Sequence, residues 1–351
     1  MLDAMSGIYQ NVPLRITRYG LLLGMCAAIA LTLAGAKPVV RLRAPAVAGT
    51  YYPAEPEKLR TAIGGYFDAA HTEPQAGRLL ACIAPHAAIG FAGEVMAHAF
   101  NELEPDMFDR VVVLAPSNMA EFFGCSIPAV GAYLTPLGAV RLDQEAIRQL
   151  TFSPHISLRS VRSDERGLRK GIHEREFAIE VLLPFLQARL GNTFKLVPMV
   201  VGQLARPNRQ ADPNTVKSVV ESLERITDDR TLVVVSSNFT QYGEIFQYVP
   251  FDEQVYAQIE NLDRLAFDYI LDNNVSAFRQ YLQITRNPIA GQVPIEILMR
   301  LLPDAAEGVI HKYVLSGRLL KSEERSVSYA AINFYSAGAS PDDGAQTGEE
   351  P

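Results

Sequence analysis

Three short runs along the chain are apolar from end to end and then turn polar. They are LLACIAPH (79–86), RVVVLAPSN (110–118) and TLVVVSSNF (231–239). Runs of this length without alternation read as strands buried on both faces. A fourth such run, FKLVPMVVG (194–202), has no polar end. Between them the apolar spacing changes to a helical period. Residues 55–70 place Leu59, Ile63, Tyr66 and Phe67 on one face, and 90–103 and 213–226 show the same pattern. Further helices are predicted over 143–150, with Asp143 as its cap, and over 176–190, with a kink at Pro184. Others are expected over 251–270, 275–282 and 294–302, where Pro294 suits a first turn. Residues 125–130, 311–318 and 326–335 read as additional strands, and 153–175, polar and Arg-rich, as a loop or lid. Strands alternating with helices predict an α/β fold with a single, mostly parallel central sheet flanked by helices.

No low-complexity linker divides 46–335, so these residues are expected to form one domain. Residues 336–351 are small, polar and acidic, the composition of a disordered tail. The other end of the chain differs. After a basic region (1–18) comes an uncharged 18-residue run at 19–36, followed by a tether at 37–45. Ala34-Gly35-Ala36 has the small-x-small form of a cleavage site. The run is also just long enough to span a bilayer. It reads as a signal peptide or a membrane anchor, with a buried globular helix as the competing reading. A membrane-anchored or exported protein, in a bacterial periplasm or cell envelope, is the expectation.

Charge and composition narrow the field. The 351 residues carry a net charge of −7, and 48% are apolar. Residues 1–45 contribute +4, which leaves −11 for the remainder. Such a balance gives no basic footprint for nucleic acid. The three cysteines, Cys26, Cys82 and Cys125, form no Cys-x-x-Cys pair, which excludes a zinc knuckle or a disulfide scaffold. Cys82 and Cys125 read as two buried thiols, a bridge between them being the alternative. No glycine-rich dinucleotide or P-loop motif is present.

The chemistry lies where the strands end. In parallel sheets, ligands bind beyond the carboxyl ends of the strands. There the sequence delivers His86, Ser117-Asn118 and Ser236-Ser237-Asn238, with Thr240 and Gln241 just beyond. Their convergence predicts a polar cleft with His86, Ser117, Asn118, Ser237, Asn238 and Gln241 as ligand-binding candidates. His86 reads as a base, a ligand or a hydrogen-bonded turn residue. The serines could instead cap the helices that follow. His173, near Glu174 and Glu176, could fold over the cleft, whereas His98 reads as structural. No His-x-x-x-His pair exists.

At these strand ends the chain resembles the MEMO family, whose bacterial members are also called AmmeMemoRadiSam system protein B. The resemblance begins at RAPAVAGTYYPAEPEKL (43–59) and runs through IAPHAAIGFAGEVMAHAF (83–100) and VVVLAPSN (111–118). It continues in AIEVLLPFL (178–186), LVPMVVG (196–202), VVVSSNFTQYG (233–243), NPIAGQVPIEILM (287–299) and SVSYAAINF (326–334), about 290 residues in all. It implies a fold similar to the class III extradiol dioxygenases, which are non-haem iron enzymes.

The family's functional residues carry over poorly. His86 is kept, but Ala88 stands where glycine is usual. Asn118, Phe177, Leu182 and Gln241 stand where the family has histidine. Asn238 replaces an aspartate, and Ala290 falls about where a cysteine is expected. Imidazole, thiolate and carboxylate donors are thereby exchanged for amides and hydrocarbon, which hold transition metals poorly or not at all. The expectation is a domain without metal or cofactor. It would bind a protein partner or a small neutral or anionic ligand, without catalysis. Two alternatives stand: acid/base chemistry by His86 with Glu176 or Glu180, and retained metal-dependent redox activity.

Overall fold

The computed structural model describes residues 41–157, 171–204 and 213–337. Its first half contains β1 (Leu42–Arg43), α1 (Pro56–Ala69), β2 (Leu79–Ala84), α2 (Ile89–Phe100) and β3 (Arg110–Pro116). Then come β4 (Cys125–Ser126), β5 (Ala132–Thr135), β6 (Gly138–Arg141), α3 (Gln144–Leu150) and β7 (Ile156–Ser157). The second half contains the turn α4 (Ile172–Arg175), α5 (Leu183–Leu190), β8 (Lys195–Val201), α6 (Pro213–Glu224), β9 (Thr231–Ser236) and β10 (Gln241–Gly243). It closes with α7 (Val255–Leu271), α8 (Val275–Thr285), α9 (Gln292–Leu301), β11 (Glu307–Leu315), α10 (Ser316–Leu320) and β12 (Arg325–Tyr335).

Nine strands form the main sheet, ordered β10-β12-β2-β9-β3-β8-β4-β7 with β11 also on β12. The central four, β2, β9, β3 and β8, are parallel. They are the four apolar runs, and their inner residues are buried, as burial by layers on both faces requires. Antiparallel strands flank them, β12 beside β2 and β4 beside β8. A second, three-stranded sheet is ordered β1-β5-β6. Because β2, β9 and β3 are adjacent and parallel, their carboxyl ends reach one edge. The register pairs Ala84 with Ser236 and Leu114 with Val235. That alignment brings the residues after each strand together.

Several elements differ from the sequence reading for local reasons. The helix expected over 176–190 begins only at Leu183, after a single 3-10 turn at Glu180–Leu182. The Glu176 carboxylate accepts the N–H groups of Phe177 and Ala178 at 2.9 and 3.0 Å, so a carboxylate takes donors at the start of the expected helix. Pro184 lies in the first turn of α5 and kinks nothing. The strand expected over 125–130 is only Cys125–Ser126, and 316–318 turns into α10. Asp143 does cap α3, accepting from the Ala146 N–H at 3.0 Å. Cys82 and Cys125 are both buried and form no disulfide bridge.

Two expectations about the ends need correction. Residues 41–45 are not a free tether, because β1 pairs with β5 and Arg43 is buried. The expected membrane-anchored or exported state finds no support in the structure. Among the described residues no helix is long and apolar enough to cross a membrane. The 19–36 run that suggested a signal peptide or transmembrane helix lies outside the described residues, as do 158–170 of the expected lid and 338–351 of the expected tail.

Candidate functional site

His86 follows β2 by two residues and is 3% exposed. Its backbone N–H donates to Asn238 Oδ1 at 3.0 Å. Its Nδ1 lies 2.9 Å from Ser236 Oγ, and the Ser236 hydroxyl donates to the Ala178 carbonyl at 2.7 Å. A hydroxyl has one proton to give. With that proton on Ala178, Ser236 can only accept from His86, so the imidazole carries its hydrogen on Nδ1. Burial pushes the His86 pKa down to about 4, so the ring is neutral near neutral pH. Its Nε2 therefore presents a bare lone pair, with no protein partner among the described residues. A second group fixes the tautomer just as it would for a metal-bound histidine.

The neighbouring amides are oriented in the same way. Asn238 spends its Oδ1 on His86, leaving its Nδ2 donor without a protein partner among the described residues. Asn118 donates Nδ2 to Glu176 Oε1 at 3.0 Å, and Gln241 donates Nε2 to the Pro288 carbonyl at 2.9 Å. Each keeps a side-chain oxygen unpaired among the described residues. Together with His86 these groups offer three acceptor atoms without a partner among the described residues, and Asn238 Nδ2 is the one amide nitrogen of the three that gives neither of its hydrogens to a described residue.

The serines do other work, and none caps the helix that follows it. Ser117 donates to the Ala120 carbonyl at 2.6 Å. Ser237 donates to the Asn238 carbonyl and accepts the Gly291 N–H, both at 3.0 Å. It ties the 287–291 segment to the end of β9. The approach is so close that a Cβ on Gly291 would lie 2.4 Å from Ser237 Cβ.

Both candidate acids are buried and fully engaged. Glu176 accepts from the backbone of Asn118, Phe177 and Ala178 as well as from Asn118 Nδ2. It fastens the loop after β3 to the segment leading into α5. Glu180 pairs with Arg43, which is buried with it, and accepts from Tyr52 and from the N–H groups of Ala46 and Val47 at 2.8 and 3.0 Å. Among the described residues no carboxylate pairs with the His86 ring. His173 does not fold over the cleft. It is buried, with Nδ1 2.7 Å from the Tyr133 hydroxyl and Nε2 3.0 Å from the Ser126 carbonyl. Its own carbonyl accepts from Arg43 Nε at 2.8 Å. His98 is buried in α2, its Nδ1 2.8 Å from the Glu94 carbonyl.

Two aromatic residues complete the site. Phe177 stands 6.1 Å from the His86 ring, centroid to centroid and inclined at 71°, and Tyr51 lies 4.9 Å from Phe177. Both are part-buried. The sequence shows Phe177 only as a missing histidine. Nothing in the spacing reveals Tyr51, because its role depends on a contact across 126 positions.

The donor set does not fit the divalent metal that a dioxygenase-like fold implies. One imidazole stands among amides, and the two nearby carboxylates are saturated. Among the described residues no three His, Cys, Asp or Glu side chains are grouped to hold a metal ion. A groove of about 200 Å³ lies at the opposite edge of the sheet, lined by Arg78, Leu80, Thr231 and Leu302 among others, far from this chemistry.

A family model described as "Memo-like protein" matches residues 43–333. The protein memo-1 homolog of Caenorhabditis elegans is 31% identical over 301 residues, covering 82% of this chain and 81% of that one. Protein MEMO1 of Homo sapiens is 27% identical over 296 residues, covering 81% of this chain and 94% of that one. Among solved structures, an uncharacterized protein from Escherichia coli K12 aligns with a TM-score of 0.44 and 13% identity, over 73% of this chain and 99% of that one.

Proposed function

Since the chain belongs to the Memo-like family, we propose that it is a non-catalytic member that binds a small, uncharged, donor-bearing ligand at the strand ends. The mixed α/β fold, with its central sheet flanked by helices, fits the extradiol dioxygenase class. In place of the metal chemistry of that class, the edge offers hydrogen-bond acceptors. The observation that carries this reading is the Ala178–Ser236–His86 series, which leaves the Nε2 lone pair of His86 bare.

Charge narrows the ligand further. The buried Glu176 carboxylate is held by N–H donors, none of them cationic. Arg43, the buried cation nearby, is paired to Glu180. From the described residues an anion would meet lone pairs and a carboxylate without a compensating charge. Acid/base catalysis finds little support, since the acids that would assist His86 are engaged elsewhere.

Benzamide and benzoate, which share a shape and differ in charge, test the reading. Titrated into the full chain near neutral pH, benzamide should shift the His86 ring resonances and bind about tenfold tighter than benzoate. The His86→Phe variant should lose that preference. Equal binding of the two, or a preference for benzoate, would overturn the proposal.

A further inference from the structure

Resting on that reading, we infer that the site takes a planar cyclic amide. Its ring N–H would donate to His86 Nε2, its adjacent carbonyl would accept from Asn238 Nδ2, and its apolar body would pack on Phe177 and Tyr51.

The pairing of Asn238 with His86 carries the first half. The Asn238 head is held against His86 by the 3.0 Å bond from the His86 backbone N–H to Oδ1. That bond decides which end of the amide has no partner among the described residues. The free end is the donor, and it belongs to the residue that grips the histidine whose free ring nitrogen is an acceptor. A donor and an acceptor presented by neighbouring residues complement a molecule with an acceptor and a donor on one edge. A cyclic amide has both, fixed in the cis arrangement by its ring, and needs no charge. An ammonium group could satisfy His86 but would oppose Asn238. A carboxylate could satisfy Asn238 but would oppose His86. Only 9% of Asn238 and 3% of His86 are exposed. An occupant that left either group unpaired would forfeit a buried hydrogen bond.

The aromatic pair carries the second half. Phe177 rises beside the imidazole at 71° and is backed by Tyr51. Both keep part of their surface open beside a histidine that is almost wholly enclosed. Flat apolar surface beside a buried polar pair suits a ring better than an extended chain. The family's histidine at this position would offer a metal donor; here Phe177 offers a wall.

The probes are 2-pyridone and N-methyl-2-pyridone, titrated into the full chain near neutral pH by calorimetry, with the His86 ring nitrogens followed by NMR. The second compound keeps the plane and the carbonyl and lacks the donor. The expected result is about tenfold tighter binding of 2-pyridone, with its N–H perturbing Nε2 selectively. Asn238→Asp keeps the oxygen that holds His86 and removes the donor, so it should weaken 2-pyridone by about tenfold as well. Equal affinity for the two pyridones, or full affinity in N238D with its fold intact, would overturn the inference. If benzamide still outcompetes benzoate in that case, the acceptor site stands and only the cyclic-amide assignment falls. If benzamide and benzoate also bind alike, both fall.

Discussion

Ser236 sets the tautomer of His86. Its hydroxyl gives its one proton to the Ala178 carbonyl at 2.7 Å and accepts the Nδ1 proton of His86 at 2.9 Å. Ser236→Ala removes both bonds and leaves two buried polar groups unpaired. A loss of about 1–3 kcal/mol in urea denaturation is expected. The ring resonances of His86 should then report a mixture of tautomers. Unchanged stability with an unchanged ring spectrum would show that the serine does not hold the imidazole.

Two buried imidazoles make the fold sensitive to acid. The His86 pKa falls from 6.5 to about 4, and that of His173 to about 3, in both cases chiefly through burial. Below pH 6.5 the unfolded chain takes up protons that the folded rings refuse. Stability is therefore complete above that value and is lost as the pH falls through the window toward 4 and then 3. His86 alone accounts for about 3 kcal/mol across its window. Urea midpoints near neutral pH and near pH 5 should differ in this direction. His86→Gln should flatten the dependence; an equally steep dependence in the variant would assign the effect to other groups.

Glu180 should be the costliest acid to remove. It neutralises the buried Arg43 guanidinium and accepts from Tyr52 and from two backbone N–H groups. Glu180→Ala leaves an unpaired charge inside the protein, with an expected loss of about 3–5 kcal/mol. Removing an exposed partner, as in Glu57→Ala beside Arg60, should cost under about 1 kcal/mol. Parallel urea denaturation of the two variants checks the contrast.

Gly291 is required by space, since its φ of −94° suits any residue. A methyl group would meet Ser237 Cβ at 2.4 Å and Oγ at 2.5 Å. Gly291→Ala should push the 287–291 segment off the end of β9 and destabilise the protein by about 1–3 kcal/mol. Because Ala290 N–H donates to the Asn238 carbonyl at 3.1 Å, the His86 and Asn238 resonances should move as well. A variant of full stability with the native spectrum would contradict this close packing.

The central sheet was legible because its strands are buried on both faces. LLACIAPH, RVVVLAPSN and TLVVVSSNF announce themselves by hydrophobicity alone, and their polar ends marked the site. The β5–β6 hairpin gave no such signal, each strand having only four residues. The late start of α5 was hidden because Glu176 intercepts backbone donors that the apolar period assigns to a helix. Glu176 and Glu180 sit where a catalytic acid would be sought. Their roles depend on Asn118, 58 residues away, and on Arg43, 137 residues away. The loss of the family's histidines was plain in the sequence; the orientation of what replaced them was not. Which oxygen or nitrogen of Asn118, Asn238 and Gln241 stays free is set by bonds to distant backbone and side-chain groups.

His86 offers a bare ring acceptor at the carboxyl edge of the central sheet. Long-range nitrogen–proton NMR of the full chain near neutral pH tests it most directly. The prediction is a neutral imidazole protonated at Nδ1 and bare at Nε2. An imidazolium, or a proton resting on Nε2, would contradict it.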